Sequence, residues 1–258
     1  MSEAGTWPEA DLTRDAFLGG QLQDWQPRQG YRAGVDPVLL AASVPARAGD
    51  TVLELGCGAG VASLCLGRRI DGLHLTGLEL QPAYADLARR NAAENRIGLQ
   101  VMTGDLTQMP DDLLQKQFTH VIANPPYFDR NASTAANDAG RERALGEVTP
   151  LADWVRAAAR RAAPKGYVTF IQRPDRLPDL LQEAQRHLGS IEVLPFIPRR
   201  GRPARLILLR GRKGGRAAFR MHDGWVLHEG SRHDRDCENY TTATGAILRH
   251  GAALPFPV

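Results

Sequence analysis

The chain has 258 residues, 43% of them hydrophobic and 24% charged, with a formal net charge of +3. This is the make-up of a soluble globular protein of one large α/β domain, with no run of about 18 apolar residues that could cross a membrane. Cys57, Cys65 and Cys237 are too few and too scattered for a disulfide framework, and the polar, acidic start MSEAGTWPEADLTRDAFLGG lacks an export signal's basic-then-apolar order, so a cytoplasmic protein is expected.

From about Asp50, short β-branched or leucine-rich runs alternate with longer amphipathic ones, the pattern of an α/β fold with a mostly parallel sheet. TVLELGC (51–57) reads as a buried strand, with a helix over 61–69 after it. HLTGLEL (74–80) is a second strand, and Pro82 suits the first turn of a helix running to about Asn95. LQVMTGD (99–105) and FTHVIAN (118–124) are two more. A helix over 150–163 stops at Pro164–Gly166, before the strand YVTFIQ (167–172), and a helix over 175–188 ends at Gly189. IEVLPF (191–196) and ARLILLR (204–210) bring the strands to seven, the last two close enough in sequence to pair antiparallel. We read one domain, with a core at 50–210 and extensions at 1–49 and 211–258. The second extension holds a strand near 218–229 and a short helix near 240–249. Residues 128–148 lack periodicity and follow a proline pair, which suggests a mobile substrate lid.

Four features fall at the C-terminal ends of consecutive strands, where open parallel sheets bind ligands. The first strand runs into Glu54-Leu-Gly56-Cys-Gly58-Ala-Gly60, a glycine-rich turn that lets backbone and a helix N-terminus approach a ligand closely. A dinucleotide fingerprint would place its third glycine at position 61, which is Val61, so that reading is weakened but stays open. Glu79 ends the second strand, where a carboxylate can accept from both hydroxyls of a ribose, and Asp105 ends the third. The fourth runs into Ala-Asn124-Pro125-Pro126-Tyr127-Phe128. Two prolines stop a ladder, and any one acid at a strand end is an ordinary cap or turn residue. Four such features in register point instead to a cofactor of nucleoside type.

The combination of E-x-G-x-G-x-G, the two strand-ending acids and N-P-P-Y resembles the class I S-adenosylmethionine-dependent methyltransferases, over roughly residues 30 to 210. The likeness is strongest to bacterial tRNA (adenine-N6) methyltransferases of the tRNA-valine anticodon-loop type. It rests also on Gly30-Tyr-Arg-Ala-Gly-Val-Asp36-Pro-Val-Leu-Leu40, on Ser133, Thr134, Arg141 and Arg143 after the NPPY, and on the closing Tyr240-Thr-Thr-Ala-Thr-Gly-Ala-Ile-Leu248. The resemblance implies a Rossmann-like sheet with helices on both faces and its last strand antiparallel, and S-adenosylmethionine as cofactor. Gly56, Gly58 and Gly60 would pass its methionyl and ribose parts, near Glu54. Glu79 would take the ribose hydroxyls, Asp105 the adenine amino group with Leu80 and Leu106 beside the ring, and Asp36 would lie near the methionine end. Asn124 and Pro125 would accept the two N–H of an adenine amine, Pro126 would keep the turn rigid, and Tyr127 would stack on the base.

Between Arg199 and Arg220 the chain carries Arg200, Arg202, Arg205, Arg210, Arg212, Lys213 and Arg216 with no acid, a field suited to RNA phosphates or, alternatively, a solvated basic surface. With Arg141 and Arg143, the expected RNA contacts are Arg199, Arg200, Arg202, Arg212 and Lys213. The alternatives are methylation of a release-factor glutamine, of rRNA guanine-N2 or of DNA adenine, and an RNA-binding module without activity. His222, His228, His233 and Cys237 match no common zinc spacing, so no metal is expected. A monomer with no membrane partner completes the reading, while Trp7, Trp25, Trp154 and Trp225 are expected to serve in packing.

Overall fold

The computed structural model describes residues 7–126, 149–230 and 239–256. An antiparallel hairpin comes first, β1 (Leu12–Phe17) and β2 (Leu22–Pro27), then helix α1 (Asp36–Ser43). Strands and helices then alternate: β3 (Thr51–Leu55), α2 (Val61–Arg69), β4 (His74–Glu79), α3 (Pro82–Asn95), β5 (Leu99–Thr103), the short α4 (Asp111–Leu114) and β6 (Phe118–Ala123). After residue 149 come α5 (Leu151–Arg161), β7 (Ala162–Gln172), α6 (Leu177–His187), β8 (Gly189–Ile197) and β9 (Leu206–Arg212). Two-residue strands β10 (Arg220–Met221) and β11 (Trp225–Val226) and helix α7 (Thr242–His250) close the chain.

The seven strands read from the sequence lie side by side in the order β8-β9-β7-β6-β3-β4-β5. All run parallel except β9, which is antiparallel to both neighbours. β10 and β11 pair with β8, so the sheet has nine strands among the described residues. Successive residues of a strand point to opposite faces, and here both faces are covered. In β3, Val52 joins the cluster built with α1, α2 and α7, while Leu53 and Leu55 join the one under α5 and α6. Two-sided burial is why these strands read as unbroken apolar runs.

Several elements depart from the sequence reading: the strand expected near 218–229 is two short pieces, β10 and β11, and helices α1 and α4 were not expected. Residues 1–49 contain the hairpin, which no apolar alternation announced. β7 begins at Ala162, directly after α5, and Pro164–Gly166 lie inside it. Pro164 forbids helix at the residue before it, so the chain is already extended there. The pairing with β6 steps from Phe118↔Ala162 to His120↔Tyr167, so the surplus residues bulge out, with Lys165 at φ 65°.

The hairpin is fastened to α3 by side-chain amides. Asn91 accepts from the Trp25 N–H at 2.7 Å and donates to the Trp25 carbonyl at 3.1 Å. Asn95, one turn later, does the same for Gln23 at 3.0 and 3.1 Å. Positions i and i+4 of a helix rise about 6 Å, close to the spacing of alternate strand residues, so two asparagines stand in for a neighbouring strand. Asn91 also donates to the Ala59 carbonyl of the glycine turn at 3.0 Å, which ties hairpin, helix and turn together.

Candidate active site

Parallel strands β3, β4, β5, β6 and β7 end at one rim. The turn after β3 carries Gly56, Gly58 and Gly60 at φ 63°, 54° and 90°, a region that glycine enters without strain. A Cβ on Gly56 would stand 2.5 Å from the Trp154 ring, so both conformation and space demand glycine there. Trp154 thus does more than fill the core: it floors the turn. The Cys57 N–H donates to the Leu78 carbonyl at 3.1 Å, joining the turn to β4.

Two carboxylates flank this turn, and a third lies at the start of α1. Glu54 is buried, and its Oε2 accepts from the Ser63 N–H at 2.9 Å and the Ser63 hydroxyl at 2.5 Å. Desolvation pushes its pKa up to about 7 against the pull of those hydrogen bonds. Glu79 accepts from Gly58 N–H at 2.8 Å and Gln81 N–H at 2.9 Å, and burial raises its pKa too. Asp36 stands in the first turn of α1, close enough to Tyr31 to help raise that phenol's pKa, an effect led by burial. Further along the rim, Asp105 accepts from the Thr107 N–H and hydroxyl at 2.7 and 2.8 Å. Leu106 is half-buried there, and Leu80 is exposed at 49%, an apolar side chain open at the mouth of the turn.

After β6, the Asn124 Nδ2 donates to the Tyr31 hydroxyl at 3.2 Å, while its Oδ1 is buried and has no partner among the described residues. The Pro125 carbonyl accepts from Gln172 Nε2 at 3.3 Å, and Pro126 is half-buried beside it. Tyr31, Pro37, Glu54, Gly56, Tyr84 and Asn124 line one pocket. Asn124, Glu54 and the glycine turn therefore share a single space, with Glu79 tied to that turn through Gly58. Tyr127, Phe128, Ser133, Thr134, Arg141 and Arg143, and the expected lid at 128–148, lie outside the described residues, as do His233 and Cys237.

Sequence reasoning missed Tyr31, Tyr84, Ser63 and Gln172. The segment holding Tyr31 stood out only through the family resemblance, and nothing in its spacing revealed a contact with residue 124. Gln172 was visible only as the polar residue ending an apolar strand.

The basic run is divided by β9, which leaves the rim at Leu206 and reaches the opposite end of the sheet at Arg212. Arg200 and Arg202 are exposed in the β8–β9 turn on the rim, next to exposed Arg205. Arg199 is buried and donates to the Glu229 and Gly230 carbonyls. Arg212 donates to the Lys165 carbonyl at 3.0 Å and Lys213 to the Ala159 carbonyl at 2.6 Å, both at the far end. Burial lowers the Lys213 pKa. Among the described residues no group of three or more His, Cys, Asp or Glu side chains could hold a metal, and no helix is long and apolar enough to cross a membrane. The Cys57 and Cys65 thiols are buried, which raises their pKa values.

Residues 33–141 match the methyltransferase small domain family. A tRNA1(Val) (adenine(37)-N6)-methyltransferase of Porphyromonas gingivalis is 32% identical over 178 residues, covering 66% of this chain and 69% of that one. Among solved structures, a protein of Agrobacterium tumefaciens described as a predicted O-methyltransferase superposes with a TM-score of 0.69 at 26% identity, covering 86% of this chain and 100% of that one. The T. thermophilus 16S rRNA N2 G1207 methyltransferase, in complex with AdoMet and guanosine, shares the fold at a TM-score of 0.55 and 18% identity, covering 78% of this chain and 50% of that one.

Proposed function

The chain belongs to the bacterial tRNA1(Val) (adenine(37)-N6)-methyltransferase family, and from that premise we propose that it methylates the exocyclic N6 of a tRNA anticodon-loop adenine, with Asn124 and Pro125 holding the amine. S-adenosylmethionine, when bound, supplies a methyl group made electrophilic by its sulfonium. The residues fit that cofactor. The glycine turn gives it a backbone cradle, and Glu79 faces the turn with its carboxylate already fixed by two backbone N–H groups. Each Glu79 oxygen keeps a lone pair for a ribose hydroxyl. Glu54 and Asp36 supply negative charge for the cationic methionyl end. Asp105 takes the adenine amino group, between Leu80 and Leu106.

The observation that carries the reading is the Asn124 Oδ1, buried beside that cradle with no partner among the described residues. A buried acceptor without a donor costs about 1–3 kcal/mol, so its natural complement is a ligand N–H. The adenine amine is a poor nucleophile because its lone pair is delocalised into the ring. Two acceptors, Asn124 Oδ1 and the Pro125 carbonyl, draw its N–H bonds out of the ring plane and turn the lone pair toward the methyl carbon. These hydrogen bonds strengthen as positive charge grows on nitrogen, so they favour the transition state over the ground state. Formation of the N–C bond would break the methyl–sulfur bond, with its electron pair left on the neutral thioether sulfur, and the amine proton would then depart to solvent. Pro126 keeps the turn rigid, and Tyr127 stacks on the base. The RNA backbone runs along the rim past Arg200 and Arg202, with Arg141 and Arg143 as further contacts, while Arg199, Arg212 and Lys213 serve mainly to hold the fold.

The test is nucleoside mass spectrometry of tRNA lacking the modification, incubated with enzyme and cofactor. N6-methyladenosine should rise above the no-enzyme control, and Asn124→Ala and Glu79→Ala should each remove most of the gain. Methyl transfer to protein alone would overturn the substrate. Undiminished transfer by both variants would overturn the site.

A further inference from the structure

A carboxamide has two ends of opposite character, and only its oxygen can receive an amine N–H. If Asn124 turned its Nδ2 toward the substrate, donor would meet donor. Something must decide which end faces the pocket. In the structure Nδ2 donates to the Tyr31 hydroxyl at 3.2 Å, which leaves Oδ1, buried and without a partner among the described residues, as the unused acceptor. The second acceptor is fixed from the other side. β7 continues its register with β6 beyond Ala123↔Phe170, which brings Gln172 level with Pro125. Proline lacks an N–H, so the backbone ladder cannot continue past it. Fully buried Gln172 supplies a side-chain rung, donating from Nε2 to the Pro125 carbonyl at 3.3 Å. Its own Oε1 accepts from the Arg173 N–H at 2.9 Å, which settles the orientation of that amide as well. One lone pair of the Pro125 oxygen is thereby occupied and the other is left aimed away from β7.

We propose that Tyr31 and Gln172 are the positioning residues of the reaction: neither touches the amine, and each aims one of the two oxygens that do. The N-terminal hairpin and α3 together hold Tyr31 in place. The Tyr31 carbonyl accepts from the Tyr84 hydroxyl at 3.0 Å. The Gln26 amide grips Ala33 in both directions, at 2.6 and 3.2 Å. Arg32 reaches back to Thr13 at 2.7 Å and Asp15 at 2.5 Å. Gly30, at φ 110°, passes so close to the Tyr84 hydroxyl that a Cβ would stand 2.9 Å away. The hairpin is thus part of the catalytic apparatus without contributing a reacting group.

The proposal rests on Asn124 and Pro125 being the amine clamp, and the experiment separates the two. Tyr31→Phe removes one hydrogen bond and Gln172→Met removes two, to Pro125 and from Arg173, and both keep the bulk. Steady-state methylation of tRNA should show kcat reduced about ten- to a hundred-fold in each, with KM for tRNA and cofactor Kd changed less than about threefold. Gln172→Glu offers no donor when ionised and one when protonated, so its kcat relative to wild type should recover as pH falls. A merely structural residue would lose cofactor binding and thermal stability together with kcat and show no such recovery. A kcat within about twofold of wild type removes that residue from the role, provided Asn124→Ala abolishes transfer; parallel loss of kcat and cofactor affinity does the same. Transfer that survives Asn124→Ala overturns the clamp itself.

Discussion

Asp24 is a carboxylate in a place that suits its neutral form. It is fully buried in β2, with Oδ1 accepting from Asn95 Nδ2 at 2.8 Å and Oδ2 facing no donor among the described residues. Desolvation raises its pKa to about 7, against the Asn95 hydrogen bond and with help from Asp15 and Glu94. The folded chain therefore keeps a proton that the unfolded chain has released, and stability falls as pH rises from about 4 to about 7. Asp24→Asn should be more stable than wild type by a few kcal/mol at about pH 8 and nearly equal at about pH 4, read by urea unfolding at each pH. An equal difference at both would exclude the buried charge as its cause. Glu54 has the same sign, with a further consequence for the ligand. A cationic cofactor favours the carboxylate, so binding should release protons and tighten as pH rises toward about 7, and Glu54→Gln should bind weakly with little pH dependence. Calorimetry in buffers of different ionisation enthalpy measures both, and proton uptake instead of release would contradict this reading of Glu54.

At the level of elements, the central strands β3, β4 and β6 were legible because both their faces are buried, and half-exposed β5 because it ends in turn chemistry like them. The hairpin was not legible. The inward residues of β2 are Leu22, Asp24 and Gln26, so the alternation that marks a half-buried strand is broken by two polar side chains. Its partner is also concealed: Asn91 and Asn95 sit on α3, and an asparagine in a helix ordinarily signals nothing about a strand. Acids and glycines at strand ends could be placed on the rim from the alternation alone. The Tyr31–Asn124 contact could not, since it joins residues 93 positions apart across two elements. The amide ladder carries its own prediction. Asn91→Ala leaves the Trp25 N–H without its partner and deprives the Trp25 and Ala59 carbonyls of a donor, costing about 2–4 kcal/mol by urea unfolding. It should also weaken cofactor binding, because Ala59 belongs to the glycine turn. Loss of stability with unchanged cofactor affinity would show that hairpin and turn are uncoupled.

For the whole molecule, nearness in sequence misleads about charge. One basic run from Arg199 to Arg220 becomes two groups at opposite ends of the sheet, separated by the length of β9, roughly 20 Å. Reversal of Arg200, Arg202 and Arg205 to glutamate should weaken tRNA binding and flatten the dependence of log affinity on log salt, by about 0.7–0.9 in slope for each phosphate no longer neutralised, with cofactor affinity intact. The same reversal at Arg216 and Arg220, exposed at the far end, should leave the slope nearly unchanged. Equal effects from both groups would mean that the RNA wraps around the sheet rather than following the rim. The borders of the sheet have another consequence. β8 would be an outer strand of nine residues, but β10 and β11 lie along it in pieces of two residues each. At the other border, Arg89 lays its guanidinium across β5, donating to the Val101 carbonyl at 3.2 Å and the Thr103 hydroxyl at 3.0 Å. Each border is thus interrupted by short pairing or by a cation. Along these borders a second copy of the chain meets no long run of open backbone to extend, which guards an apolar, mostly parallel sheet against stacking strand on strand while it folds.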